Sequence, residues 1–137
     1  MAPARALAVV KADAYGHGAI EVARALEPRG VAGFAVALAE EGMELRRAGV
    51  RAPILVLSPA ASAAYPFLRR YDLVPAVSGL DQLAALDGYA RATGWRLGVH
   101  LKFDTGMNRL GIPVEAAAVA LERVRDSPAL RLEGVMS

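Results

Sequence analysis

Lys11 closes an apolar run, AVVKADAYGHG (residues 8–18), and is followed by Asp13, Tyr15 and a Gly-His-Gly turn. A lysine at the carboxyl end of a parallel strand lies where α/β folds place their chemistry. Apolar walls desolvate the ammonium, lower its pKa and turn the amine into a nucleophile toward aldehydes. Tyr15, four residues on, is in reach of whatever that amine holds, and Gly16 and Gly18 permit close backbone approach. A lone lysine after a strand is weak evidence, since a side chain that snorkels from a barrel rim into water gives the same pattern.

Lysine usage sharpens the reading. Of sixteen basic residues, fourteen are arginine and two are lysine, Lys11 and Lys102. Both lysines fall in apolar, strand-like segments. The second segment, VHLKFDTGMNRLGI (99–112), groups Lys102, Asp104 and Arg109 around a turn with Gly106 and Gly111. His17, between two glycines, reads as a turn-stabilising donor, and His100 as a core or supporting histidine that shares a strand face with Lys102. Asp104 is expected to brace the turn, Met107 and Asn108 to offer backbone contacts near a ligand, and Trp95 to pack. The aldehyde most suited to an activated lysine is pyridoxal phosphate.

The bulk composition narrows the class. The chain has 137 residues, 55% hydrophobic and 22% charged, with a net charge of +2, which fits a globular core and argues against disorder or a nucleic-acid or membrane-surface role. There are no cysteines and two histidines, so disulfides, thiolate nucleophiles and a zinc or iron centre are not expected. The opening MAPARALAVV lacks the long apolar core of a signal peptide, and no apolar run approaches the roughly 20 residues of a membrane span. A cytoplasmic protein is the expectation.

Short apolar runs alternate with amphipathic ones. Strands are expected at 6–10, 33–37, 53–58, 73–78, 96–104 and 130–137, the first buried. Helices are expected at 20–30, 38–49, 61–71, 80–94 and 114–127. Pro66 weakens the third helix, and Pro75 argues against a central place for its strand. Repeated β-α units with near-continuous apolar strands imply a parallel sheet covered by helices, either doubly wound or a partial (β/α)8 barrel of about five to six units. A closed barrel takes about 250 residues, so part of a domain is expected.

KADAYGHG followed by HLKFDTGMNRLG resembles the alanine racemase family of pyridoxal-phosphate enzymes with a barrel domain. The resemblance implies that residues 1–137 form one partial barrel, with the first strand-helix unit, the later barrel units and a C-terminal β-domain outside it. It implies that Lys11 binds the cofactor covalently and acts as one of two racemising bases, and that Tyr15 helps hold the cofactor phosphate. Arg109 would contact the cofactor's phenolic oxygen region and the substrate carboxylate, with Met107 near the substrate. Lys102 would be carried as a carbamate, whose anionic end can orient a guanidinium where an ammonium would repel it; the alternative is a salt bridge to Asp104. The family's opposite base, a tyrosine from the partner subunit of a homodimer, has no counterpart here, so this chain alone is expected not to racemise alanine. A barrel-type decarboxylase or cofactor carrier, a non-catalytic assembly module, and an open phosphate-binding α/β domain stay open as alternatives.

Overall fold

A computed structural model describes residues 4–137. Residues 1–3, part of the opening read above as lacking a signal peptide, lie outside them. Seven parallel strands form one curved sheet: β1 (Leu7–Val9), β2 (Gly33–Val36), β3 (Ile54–Val56), β4 (Val74–Val77), β5 (Leu97–Asp104), β6 (Ile112–Pro113) and β7 (Leu130–Met136). Each of β1 to β4 pairs with its successor, and β5 then pairs with both β6 and β7. Among the described residues, one left-handed turn, α1 (Lys11–Gly16), and five right-handed α-helices connect them: α2 (Ala19–Leu26), α3 (Ala39–Arg47), α4 (Tyr65–Arg70), α5 (Leu80–Thr93) and α6 (Ala117–Asp126). The result is an open, partial (β/α) barrel.

The alternation of strand side chains makes two faces. On the helix side, Phe34, Val36, Ile54, Val56, Val77, Leu97, Val99 and Leu101 are buried with Leu45, Leu68, Leu83 and Leu86 from the helices. On the concave side, a smaller set, Ala35, Leu55 and Ala76, packs with Leu57, Val74 and Met136. The helix side is the stabilising core; the concave side is floored by small and aliphatic groups.

The first strand was expected to be buried and is not. Among the described residues β1 pairs only with β2, and Leu7 and Val9 are 41% and 43% exposed on the concave side. Pro75 also departs from expectation, because β4 lies between β3 and β5. The strand changes partners at this residue: Val74 and Pro75 pair with β3, and Ala76 and Val77 with β5. A residue without an N–H is tolerated where one ladder hands over to the next. Pro66 proves a helix starter rather than a breaker, standing at the first turn of α4, where its missing N–H has no intrahelical partner to lose.

The amino-terminal rim of the sheet is fastened by two charged side chains. Glu27 accepts the N–H groups of Arg51 and Ala52 at 2.7 and 2.6 Å, which hold its carboxyl below the usual range. Arg46 donates to the carbonyls of Tyr71, Val50, Ala52 and Asp72 at 2.7–3.0 Å. These bonds stabilise the end of the barrel opposite the lysine turn, leaving the carboxyl ends of the strands for chemistry.

Candidate functional site

β1 ends at Val9, and Val10 continues its pairing by donating to the Ala35 carbonyl at 2.8 Å while its side chain is buried in the helix-side core. Lys11 follows, half-buried, at the carboxyl end of the sheet as the sequence suggests. The chain then takes a conformation that the sequence does not announce. Ala12, Asp13, Ala14 and Tyr15 all have φ between 50° and 57°, a complete turn of left-handed helix. Each such residue costs an L-amino acid about 1–2 kcal/mol, so the turn persists only because its surroundings fix it.

Those surroundings are dense with hydrogen bonds. Asp13 accepts the N–H of Ala19 at 2.7 Å, and its carbonyl accepts Gly18 N–H at 2.9 Å. His17 Nδ1 lies 2.9 Å from the Ala14 carbonyl oxygen; since a carbonyl only accepts, Nδ1 carries the proton. His17 therefore closes the turn, the role expected of it. Glu41 of α3 accepts the N–H of Ala12 at 2.7 Å. The turn brings the Lys11 ammonium to 5.9 Å from the centre of the Tyr15 ring, and Tyr15 as a whole is 61% exposed.

On the concave face, register pairs His100 with Ala76 and with Gly134, and Lys102 with Met136. His100 and Lys102 thus share a face, both half-buried. Burial pulls the His100 imidazole below its ordinary range, partly offset by the nearby Glu133 carboxylate. Lys102 forms no ion pair with Asp104, so that alternative is not realised. Asp104 Oδ1 instead accepts the N–H groups of Gly106 and Asn108 at 2.9 and 3.0 Å. These two bonds, with smaller contributions from the Met107 N–H and the Lys102 charge, hold its carboxyl below the usual range. Asp104 braces the turn, as expected. Gly111 closes the same loop at φ 155°, where a Cβ would come within 2.4 Å of the Asp104 backbone nitrogen; only glycine lets the chain return to pair as β6, a strand too short to be read from sequence.

Arg109 and Met107 ride on this loop and are exposed, Met107 at 75%. Lys11 and Tyr15 are brought together; among the described residues, no hydrogen bond or ion pair joins them to Lys102 or Arg109. Both groups stand at the carboxyl end of one sheet, separated by β2, β3 and β4. A groove of about 590 Å³ between α5 and α6 lies on the outer surface and is unrelated to either.

The donor set suits an anionic aldehyde of pyridoxal-phosphate type. A primary amine stands at a strand end beside a phenol. Arg109 adds a cation to the same rim, and Ala35, Leu55 and Ala76 leave an apolar floor between it and Lys11. These features define a partial barrel with a lysine-centred site on the carboxyl rim. The whole chain, residues 1–137, matches the family described as alanine racemase, N-terminal domain, and belongs to it. It is 44% identical over 135 residues to an alanine racemase of Geobacter sulfurreducens, covering 96% of this chain and 34% of that protein. Its fold superposes on an alanine racemase of Clostridium difficile with a TM-score of 0.91 at 35% identity, over 96% of this chain and 35% of that one. A histidine racemase of Leuconostoc mesenteroides is similar at 30% identity and a TM-score of 0.84, over 92% of this chain and 34% of its own. The chain therefore spans about a third of the length of these relatives.

Proposed function

We propose that this chain supplies the lysine-bearing, cofactor-binding part of a pyridoxal-phosphate-dependent racemase that interconverts L- and D-alanine. Lys11 would hold the cofactor's carbonyl carbon through Nζ, with Tyr15 at its phosphate and Arg109 at its phenolic oxygen and the substrate carboxylate. When bound, that group accepts the electron pair left as the substrate's Cα–H bond breaks. Lys11 Nζ takes or returns the Cα proton on one face. Met107 would border the substrate. Lys102 Nζ, by adding carbon dioxide and losing a proton, would become an anion able to orient the Arg109 guanidinium. The opposite face requires a second base, which the family resemblance assigns to a partner subunit of a homodimer in the cytoplasm. The described residues include no helix long and apolar enough to cross a membrane.

The observation that carries the reading is Lys11 at the carboxyl end of β1, held beside Tyr15 by a strained turn, in a chain of the alanine racemase family. Borohydride reduction of the chain with pyridoxal phosphate, followed by peptide mass mapping, tests it. Attachment at Lys11, lost in Lys11→Arg, is expected; attachment spread over surface sites or unchanged in Lys11→Arg would sink it. Likeness to a histidine racemase favours a second reading with another amino-acid substrate. Free L-alanine and free L-histidine, added before reduction, separate the two by which protects Lys11 at lower concentration.

A further inference from the structure

We infer that Glu41 is the positioning residue for Lys11, which rests on the reading of Lys11 as the cofactor-binding amine. Its carboxylate accepts three backbone N–H groups. Oε1 takes Ala12 at 2.7 Å, while Oε2 takes Ala37 at 2.7 Å and Leu38 at 3.0 Å. Ala37 and Leu38 are the link between β2 and α3; Ala12 is the residue after Lys11 and the first of the four left-handed residues. One carboxylate thus ties the exit of β1 to the exit of β2.

The bond to Leu38 is half of a capping box and serves α3. The bond to Ala12 does nothing for α3. The other bonds that hold the turn are local: Asp13 reaches Ala19, His17 reaches Ala14, and Gly18 N–H reaches Asp13. Among the described residues, Glu41 is the one side chain from another β-α unit that hydrogen-bonds the turn. Lys11 therefore sits between two fixed points. Val10 is 2% exposed in the core, and Ala12 is held by a charged acceptor. A turn that L-residues avoid relaxes when such an outside hold is removed, and the amine's direction toward Tyr15 relaxes with it.

Glu41→Gln keeps one acceptor oxygen and replaces the other by an NH₂ that faces an N–H, so either Ala12 or the Ala37–Leu38 pair loses its partner. Three measurements on the variant and the parent chain test the inference: thermal melting, amide hydrogen exchange at Ala12 without cofactor, and the rate of borohydride-stable pyridoxal phosphate attachment at Lys11. Ala12 exchange is expected to quicken, and attachment to slow, each by about tenfold or more, as for one lost bond to a charged acceptor. Glu41→Asp, one methylene shorter, is expected to rescue neither. If Glu41 serves only to cap α3, the melting temperature falls while Ala12 exchange and the attachment rate below the transition match the parent; that result overturns the inference. Attachment in the parent but equally fast in Glu41→Gln overturns it too. No attachment at Lys11 even in the parent overturns the cofactor reading and takes this inference with it.

Discussion

The imidazole of His100 fills the space that a side chain on Gly134 would need. A Cβ built there lies 2.4 Å from Cε1 and 2.6 Å from Nδ1 of the ring. The pairing between β5 and β7 slips at this point, from Val99 opposite Leu132 to His100 opposite Gly134, so Glu133 is the extra residue of a bulge. Its side chain covers Gly98 and its charge acts on His100. Bulge, glycine and histidine form one unit two residues before Lys102.

Gly134→Ala must displace the ring or open the ladder, at a cost of about 1–3 kcal/mol by the usual scale of overpacking. Urea unfolding measures it. Pairing the substitution with His100→Ala is expected to recover most of the loss, since the clash needs both groups. A full loss in the double variant would show that the strand backbone, not the ring, is at fault.

The same histidine gives the fold a pH dependence. Its folded-state pKa lies below the ordinary value of 6.5, chiefly because burial disfavours the cation. The unfolded chain therefore takes the proton first as pH falls, and its contribution to stability is present above about 6.5 and lost below it, down through the folded pKa. The urea midpoint is expected to drop on acidification through that window, and His100→Gln to flatten the drop. An equal slope in His100→Gln would assign it to other groups.

Asp104 acts lower on the scale. Its folded pKa is depressed, so its hold on the loop is present above the ordinary value of 3.8 and lost as pH falls through the folded one. Asp104→Ala is expected to speed amide exchange at Gly106 and Asn108 at neutral pH while leaving β1 and α1 unaffected. Unchanged exchange at those two amides would mean that Gly111 and the β6 pairing hold the loop alone.

β1 and β7 each carry one unpaired edge among the described residues, with Leu7, Val9, Leu132 and Val135 between 39% and 58% exposed. Open, apolar edges template further pairing. The chain is expected to self-associate at micromolar concentration, read by size-exclusion with light scattering, and Val9→Lys with Val135→Lys to reduce it. A monomeric parent chain would refute this.

Much of this architecture follows from the sequence because hydrophobic period and turn residues are local properties. Strand and helix boundaries agree to within a few residues, and Lys11 stands where its apolar approach places it. The left-handed turn was not legible: Ala-Asp-Ala-Tyr contains no glycine, and alanine ordinarily favours the right-handed helix. What imposes the turn includes Glu41, 29 positions from Ala12, a distance over which no periodic pattern operates. Exposure of β1 was hidden for a related reason, since Leu7 and Val9 are apolar whether or not a neighbouring strand covers them. Lys102 and Arg109 were picked out by type and by resemblance; the structure puts them on the rim that carries Lys11 without joining them to it.

The turn at residues 12–15 also has a consequence for chirality. Positive φ is the comfortable hand for the mirror-image building block, so these four sites are ones where the chain's own stereochemistry works against its shape. A chemically synthesised chain with D-alanine at the exposed position 12 is expected to fold with the same backbone trace and a higher melting temperature, because nothing in the path of the main chain would need to change.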